Sequence, residues 1–236
     1  MAIEAVFFDV GQTLVHPVPD GAGFSQVAVP FGFEITAEAI LANNGKMYAR
    51  YNEHYQRDPG FWDNHESARA VWLDAYTLLY QLLETGDKAE ELAAEAYNFY
   101  FNPGAWFAYD DVQDGLEQLA QSGLKLGLIS NWDSSLIPVI KSIGLDHYFL
   151  AMISSADVGM HKPDKDIFEY AIQQLGVLPD EAIHIGDHLT ADVQGALDAG
   201  LHAVYMDRYN SHPEFDLAPR LESLRLLPAL IENLNT

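Results

Sequence analysis

Five short apolar runs alternate along this chain with longer stretches of helical period, and that rhythm limits the fold more than any other feature. The runs are Ala5–Asp9, Leu126–Ser130, Ala151–Ser154, Ala182–Ile185 and His202–Met206. They are too short for helices and too apolar for half-exposed strands, so they predict strands buried on both faces. Between them Val112–Ser122, Ser135–Ile143, Lys165–Leu175 and Ala191–Ala199 carry helical patterns, followed by Gly123, Gly144, Gly176 and Gly200 as stop signals. Strand, helix and glycine in this order build right-handed βαβ units, because a parallel neighbour is reached only through a crossover. The predicted class is α/β, a Rossmann-like parallel sheet core.

Between Pro17 and Ala105 the rhythm stops. "HPVPDGAGFSQVAVPFGF" (16–33) reads as loop, and three helical segments follow at Ala37–Gln56, Ser67–Glu84 and Lys88–Tyr100. "NPGAW" (102–106) ends the last of them, and no strand alternation occurs in the region. The expectation is an all-helical cap of residues 17–105, inserted into a core of residues 1–16 and 106–236 and lying over the C-terminal edge of the sheet. "LESLRLLPALIENLNT" (221–236) predicts a short strand or turn before a terminal helix.

Composition narrows the function classes. Asp and Glu number 35 against 12 Lys and Arg, a net charge of -23. Such a field repels nucleic acid and anionic membrane surfaces, so neither is an expected partner. There are no cysteines, which excludes disulfides, thiolate metal sites and a cysteine nucleophile. No apolar run approaches the roughly 20 residues that span a bilayer, and "MAIEAVFFDV" carries no basic leader. A cytoplasmic protein acting on a small molecule, as a monomer or homodimer, is the expectation.

In open parallel sheets ligands bind beyond the carboxyl ends of the strands, where strand order reverses. Chemistry-bearing residues stand at those ends. Asp9 closes the first run, and Ser130 and Asn131 close the second. Lys162 lies in "GMHKPDKDIF" before a helix, and Asp187 and Asp192 lie in "GDHLTAD" after the fourth run.

With "DVGQT", "ISN", "HKP" and "GDHLTAD" in this order, the chain resembles the haloacid dehalogenase-like (HAD) superfamily, with a helical cap of its first type. The resemblance implies that Asp9 is a nucleophile forming an acyl-phosphate, which water hydrolyses. It implies Mg2+ bound by Asp9, Asp187 and the Gly11 backbone carbonyl. It casts Ser130 and Lys162 as holders of the transferred group's oxygens, with Thr13 and Asn131 in the same phosphate-binding set. Asp192 is implied as a supporting acid behind the metal's waters or Lys162.

One position departs from the pattern. In the family's phosphatases the residue two places after the nucleophile is a second Asp, which protonates the leaving group. Here it is Gly11. A general acid contributes about 10²–10⁴-fold, so aryl oxides and acyl phosphates, which need no proton on leaving, suffer least from its loss. Three readings follow: a phosphatase of a small phosphorylated metabolite, a 2-haloacid dehalogenase using the same Asp9, and a non-catalytic binding protein. The family's dehalogenases also lack the second acid, but they replace the Gly-Asp pair retained here at 186–187. His16, Asp20, Asp133 and His161 are the candidates to replace the missing acid. Of the aromatics Tyr48, Tyr51, Tyr55, Trp62, Trp72, Tyr76 and Tyr80, most are expected to form the cap's core and a minority to line a pocket. His184, His188 and His202 lack the spacing of a zinc site.

Overall fold

The structure, a computed structural model, describes residues 2–235. Strands β1 (Ala5–Phe8) and β2 (Val15–Pro17) precede helices α1 (Ala22–Ala28), α2 (Ala37–Arg57), α3 (His65–Leu82) and α4 (Ala89–Phe101). After β3 (Trp106–Ala108) come α5 (Val112–Gln121), β4 (Lys125–Ser130), α6 (Leu136–Ser142), β5 (Ala151–Ser154), α7 (Ser155–Val158) and α8 (Lys165–Leu175). The chain ends with β6 (Ala182–Gly186), α9 (Gly195–Asp198), β7 (His202–Met206), β8 (Arg220–Leu221) and α10 (Leu227–Leu234). Among the described residues, no helix is long and apolar enough to cross a membrane.

Six strands form one parallel sheet in the order β5-β4-β1-β6-β7-β8. β1 lies between β4 and β6, and Phe8 is in register with both Leu128 and Ile185. The residues that follow these three strands therefore emerge side by side. Alternation along β1 explains why it is apolar throughout. Val6 and Phe8 join a core with Leu116 of α5, Ile140 of α6 and Leu227 of α10. Ala5 and Phe7 face Phe168 and Ala171 of α8 and Ala196 of α9. Phe7 and Phe8 are fully buried, and each such burial stabilises by roughly 1.5–3 kcal/mol.

The helical insertion has its own core, in which Ile40 and Met47 of α2 meet Leu79 and Tyr80 of α3 and Leu92 and Ala96 of α4. Two side-chain caps start its helices: Thr36 Oγ1 accepts from the Ala39 N–H, and Asn64 Oδ1 accepts from the Ser67 N–H. Two buried or part-buried side-chain hydrogen bonds are among the contacts that tie the insertion to the sheet layer. Tyr97 of α4 donates to Asp133 Oδ2 at 2.7 Å, and Asp63 Oδ1 pairs with His161 Nδ1 at 2.7 Å.

Three features differ from the sequence expectation. The stretch 16–33 is not all loop, since α1 lies inside it and buries Phe24 and Ala28 against the insertion's core. Its Gly23 is a packing residue: a Cβ there would stand 2.5 Å from the Phe99 ring. The expected helix 191–199 starts instead as a π-helical turn, Leu189–Gln194, and only then becomes α9. Finally, β2 and β3 pair antiparallel, Val15 opposite Ala108 and Pro17 opposite Trp106. This ribbon joins the chain entering and leaving the insertion, and three-residue strands are too short to show a period.

Candidate active site

Asp9 leaves β1 with its N–H still donating to the Ile185 carbonyl at 2.8 Å, which holds the residue at the edge of β6. Its Oδ1 accepts from Lys162 Nζ at 2.7 Å and from Ser130 Oγ at 3.0 Å. Ser130 is the last residue of β4, and Lys162 reaches in from the loop before α8; both are buried. The lysine's backbone is clamped by Asn131, whose Oδ1 accepts from the Lys162 N–H at 2.8 Å while its Nδ2 donates to the Lys162 carbonyl at 2.9 Å. Expected in the phosphate-binding set, Asn131 does line the cavity, and its amide also places Lys162.

Lys162 also donates to Asp192 Oδ1 at 2.5 Å. That oxygen is within 2.9 Å of His184 Nε2, and Asp192 Oδ2 accepts from the His188 N–H at 2.9 Å. Asp192 therefore supports the lysine. It lies so close over β6 that a Cβ on Gly186 would meet its Cγ at 2.1 Å, so only glycine fits beneath it. His184 is fully buried in the strand, and burial pushes its pKa down, keeping the ring neutral. A neutral ring has one proton; placed on Nε2 it serves Asp192 and leaves Nδ1 without a partner. Sequence reasoning weighed this histidine only as a zinc ligand. A polar residue in a strand buried on both faces needs a partner, and that signal was present.

The electrostatics divide these acids. Burial opposes the charge on Lys162, but Asp192 and Asp9 hold it well above the ordinary lysine range. Burial would also raise Asp192, yet the Lys162 charge and the His184 N–H keep it below the usual carboxylate range. Asp9 goes the other way: burial pushes it up by more than Lys162 pulls it down, and the Asp192 charge adds to the rise. Asp187, just after β6, is raised well above the carboxylate range by burial and then by the charges of Asp9 and Asp192. Among the described residues it forms no salt bridge with Lys or Arg. Oxygens of Asp9, Asp187 and Asp192 lie within 4.8 Å of one another. Asp192 is satisfied by its donors, so one ammonium leaves Asp9 and Asp187 unbalanced. Hard, all-oxygen donors with surplus negative charge fit a divalent cation such as Mg2+.

Asp9, Gly11, Ser130 and Asp187 open onto a cavity of about 760 Å³ between the sheet ends and the insertion. A Cβ on Gly11 would meet Trp132 Cζ3 at 3.3 Å. The Trp132 indole thus packs against position 11. It is held there by its Nε1 bond to Ser135 Oγ, 2.9 Å, and by the edge of Trp106, 4.6 Å between ring centres. The next residue, Gln12, has φ 56°, in the left-handed region that turns the loop back on itself.

Thr13 does not join the site. Its side chain is fully buried, its Oγ1 has no hydrogen-bond partner among the described residues, and it does not line the cavity. What it contributes is a carbonyl, which accepts from Arg208 Nε at 2.9 Å and Nη2 at 2.7 Å and pins the loop that follows Asp9. Of the four candidate replacement acids, His161 lies off the cavity on Asp63. Asp133 lines it but is saturated by the Tyr97 hydroxyl and by the N–H and hydroxyl of Ser135. His16 and Asp20 line it too, with His16 Nδ1 2.9 Å from the Pro17 carbonyl. The aromatic expectation holds for the core, since Tyr51, Tyr55, Trp62, Trp72 and Tyr76 belong to or pack on the insertion's hydrophobic clusters, but more of them than expected also reach the cavity: Tyr48, Tyr51, Trp62, Trp72 and Tyr76 all line it. Tyr80 belongs to the insertion's core, donating to the Phe24 carbonyl.

Comparison with known proteins bears on this arrangement. The chain is 27% identical over 209 residues to human haloacid dehalogenase-like hydrolase domain-containing protein 3, covering 86% of this chain and 81% of that protein. It is 31% identical over 166 residues to a phosphoserine phosphatase of Thermus thermophilus, covering 69% and 63% respectively. The solved structure of a HAD phosphatase from Thermococcus onnurineus superposes with a TM-score of 0.64 at 26% identity, over 97% of this chain and 98% of that one. Together with a parallel sheet whose strand ends gather Asp9, Ser130, Lys162 and Asp187, the match of residues 3–200 to the haloacid dehalogenase-like hydrolase family model makes this chain a member of that family.

Proposed function

We propose that the chain is a Mg2+-dependent phosphatase of a small phosphorylated molecule, acting through an aspartyl-phosphate on Asp9, with residues 17–105 as its cap. The observation that carries this reading is the pairing of Asp9, on the cavity wall, with a second unbalanced acid, Asp187, within metal-sharing distance. Asp9 Oδ1 is held by Lys162 and Ser130, while Oδ2 has no hydrogen bond among the described residues and is free to attack. Phosphorus bonds to Asp9 as the ester bond breaks, and water then releases orthophosphate and restores the carboxylate. Lys162 and Ser130 orient the nucleophile and put positive charge where the phosphoryl oxygens gather. Mg2+, held by Asp9, Asp187 and the Gly11 carbonyl, would cancel the repulsion between an anionic nucleophile and an anionic substrate.

Gly11 favours a second reading, dehalogenation, because halide leaves without a proton. That chemistry gives Asp187 no task, although the protein holds it, half-buried, within 4.8 Å of Asp9. Purified protein should release phosphate from p-nitrophenyl phosphate with Mg2+, and lose this with a chelator or with Asp9→Asn. Undiminished turnover by Asp9→Asn would reject the nucleophile. Chelator-insensitive halide release from 2-chloropropionate, without phosphate release, would transfer the assignment to the dehalogenase.

A further inference from the structure

We propose that the leaving-group side of this cavity is built for an uncharged aromatic alcohol, so that the substrate is a phosphoric monoester of a phenol rather than of an aliphatic or carboxylate-bearing alcohol. This rests on the phosphatase reading and adds the class of substrate.

Three observations carry it. First, position 11 carries no side chain, and a Cβ there would come within 3.3 Å of the Trp132 ring, itself braced by Ser135 and Trp106. The site has exchanged a proton donor for an aromatic surface. Second, the walls facing Trp132 from the insertion are aromatic as well: Tyr48, Tyr51, Trp72, Tyr76 and Tyr100. Aromatic walls favour another ring set face-on or edge-on against them. Third, no Lys or Arg lines the cavity, whereas Asp20 and Asp133 do. A carboxylate on the leaving group would be stripped of water beside aromatic walls and acids, with no cation to receive it. This sets the chain apart from any site built for a phosphorylated amino acid, despite its likeness to a phosphoserine phosphatase.

The chemistry agrees with the walls. As the Asp9 oxygen bonds to phosphorus, the phosphorus–oxygen bond of the ester breaks and its electron pair leaves on the aryl oxygen. With a phenol's pKa near about 10, that anion departs without assistance and takes its proton from water after release. A water molecule then displaces Asp9 from phosphorus, its proton passing to the orthophosphate. The balance is ester plus water to phenol plus orthophosphate. An aliphatic alkoxide, far more basic, needs the proton that Gly11 cannot supply.

The test compares steady-state phosphate release by the full chain with Mg2+ from phenyl phosphate, benzyl phosphate, O-phosphoserine and acetyl phosphate. Benzyl phosphate keeps the ring but leaves as an alkoxide; acetyl phosphate needs neither ring nor acid. Phenyl phosphate should exceed benzyl phosphate by about 10²-fold or more in kcat, the range a general acid supplies, and O-phosphoserine should have the lowest kcat/KM. Across ring-substituted phenyl phosphates, kcat/KM should fall steeply as the phenol becomes more basic. Benzyl phosphate or O-phosphoserine turned over as fast as phenyl phosphate would overturn the inference and leave the phosphatase reading standing. No release from any substrate, acetyl phosphate included, would overturn both. A folded Gly11→Asp/Trp132→Ala double variant should gain on benzyl phosphate relative to phenyl phosphate; an unchanged ratio would reject Trp132 as the group standing in the acid's place.

Discussion

Among the described residues Asp187 has no Lys or Arg salt bridge to balance its ionised form, and its behaviour is the most direct probe of the site. Its folded pKa is raised well above the ordinary carboxylate value, chiefly by burial and then by Asp9. A raised carboxyl makes the folded state hold its proton longer than the unfolded state does, so stability falls as pH rises from the unfolded pKa towards the folded one. Chelator-treated protein should therefore melt at lower temperature at pH 7 than at pH 5, and Asp187→Asn should raise the melting temperature at pH 7. Saturating Mg2+ should restore the wild type, by about 2.7 kcal/mol at a hundredfold excess over Kd, and leave Asp187→Asn nearly unmoved; calorimetry with and without metal checks both. Gly186→Ala tests the other end of the cluster. Its Cβ would displace Asp192 from above β6 and loosen Lys162, so kcat should fall at least about tenfold with the fold retained, read from activity beside circular dichroism.

Elements were legible where periodicity decides and opaque where contacts do. The strands after Gly123 follow from apolar runs because both faces of the sheet are covered, and α8 matches its predicted bounds at Lys165–Leu175. α1 was hidden by Gly21 just before it and by Gly23 within it, the latter serving close packing, and the π-turn carries no distinct local pattern. A clamp joining distant elements was equally invisible. Asp111, just before α5, pairs with Arg208 and also accepts from Ser223 Oγ and the Leu224 N–H, while Arg208 holds the Thr13 carbonyl. Burial alone would raise the Asp111 carboxyl, but Arg208 and Ser223 keep it lowered. Its contribution to stability is thus present above the unfolded pKa and lost as pH falls through the folded one. Asp111→Ala leaves Arg208 buried and unpaired, and should cost about 3 kcal/mol, measured as a lower urea midpoint with unchanged slope. Because the clamp ends on the nucleophile loop, activity should fall too.

At the scale of the whole molecule, a net charge of -23 on one compact chain repels itself. Screening reaches about 10 Å at 0.1 M salt, so the melting temperature should rise as sodium chloride goes from about 0.02 to 0.5 M; a flat or falling dependence would show that the acids are already locally compensated. The local pattern of residues determined the parallel sheet, the helical insertion after β1 and the identities of Asp9, Ser130, Lys162 and Asp187, because hydrophobic period and side-chain chemistry are properties of neighbours along the chain. Only the tertiary structure decided that Thr13 is turned away, that Asn131 serves Lys162, that His184 steadies Asp192, and that Trp132 packs against Gly11. Those outcomes depend on groups as far apart in the chain as Arg208 and Thr13, 195 positions, and their physical cause is burial: charge balance and occupied space are set by what surrounds a side chain, which no stretch of sequence contains.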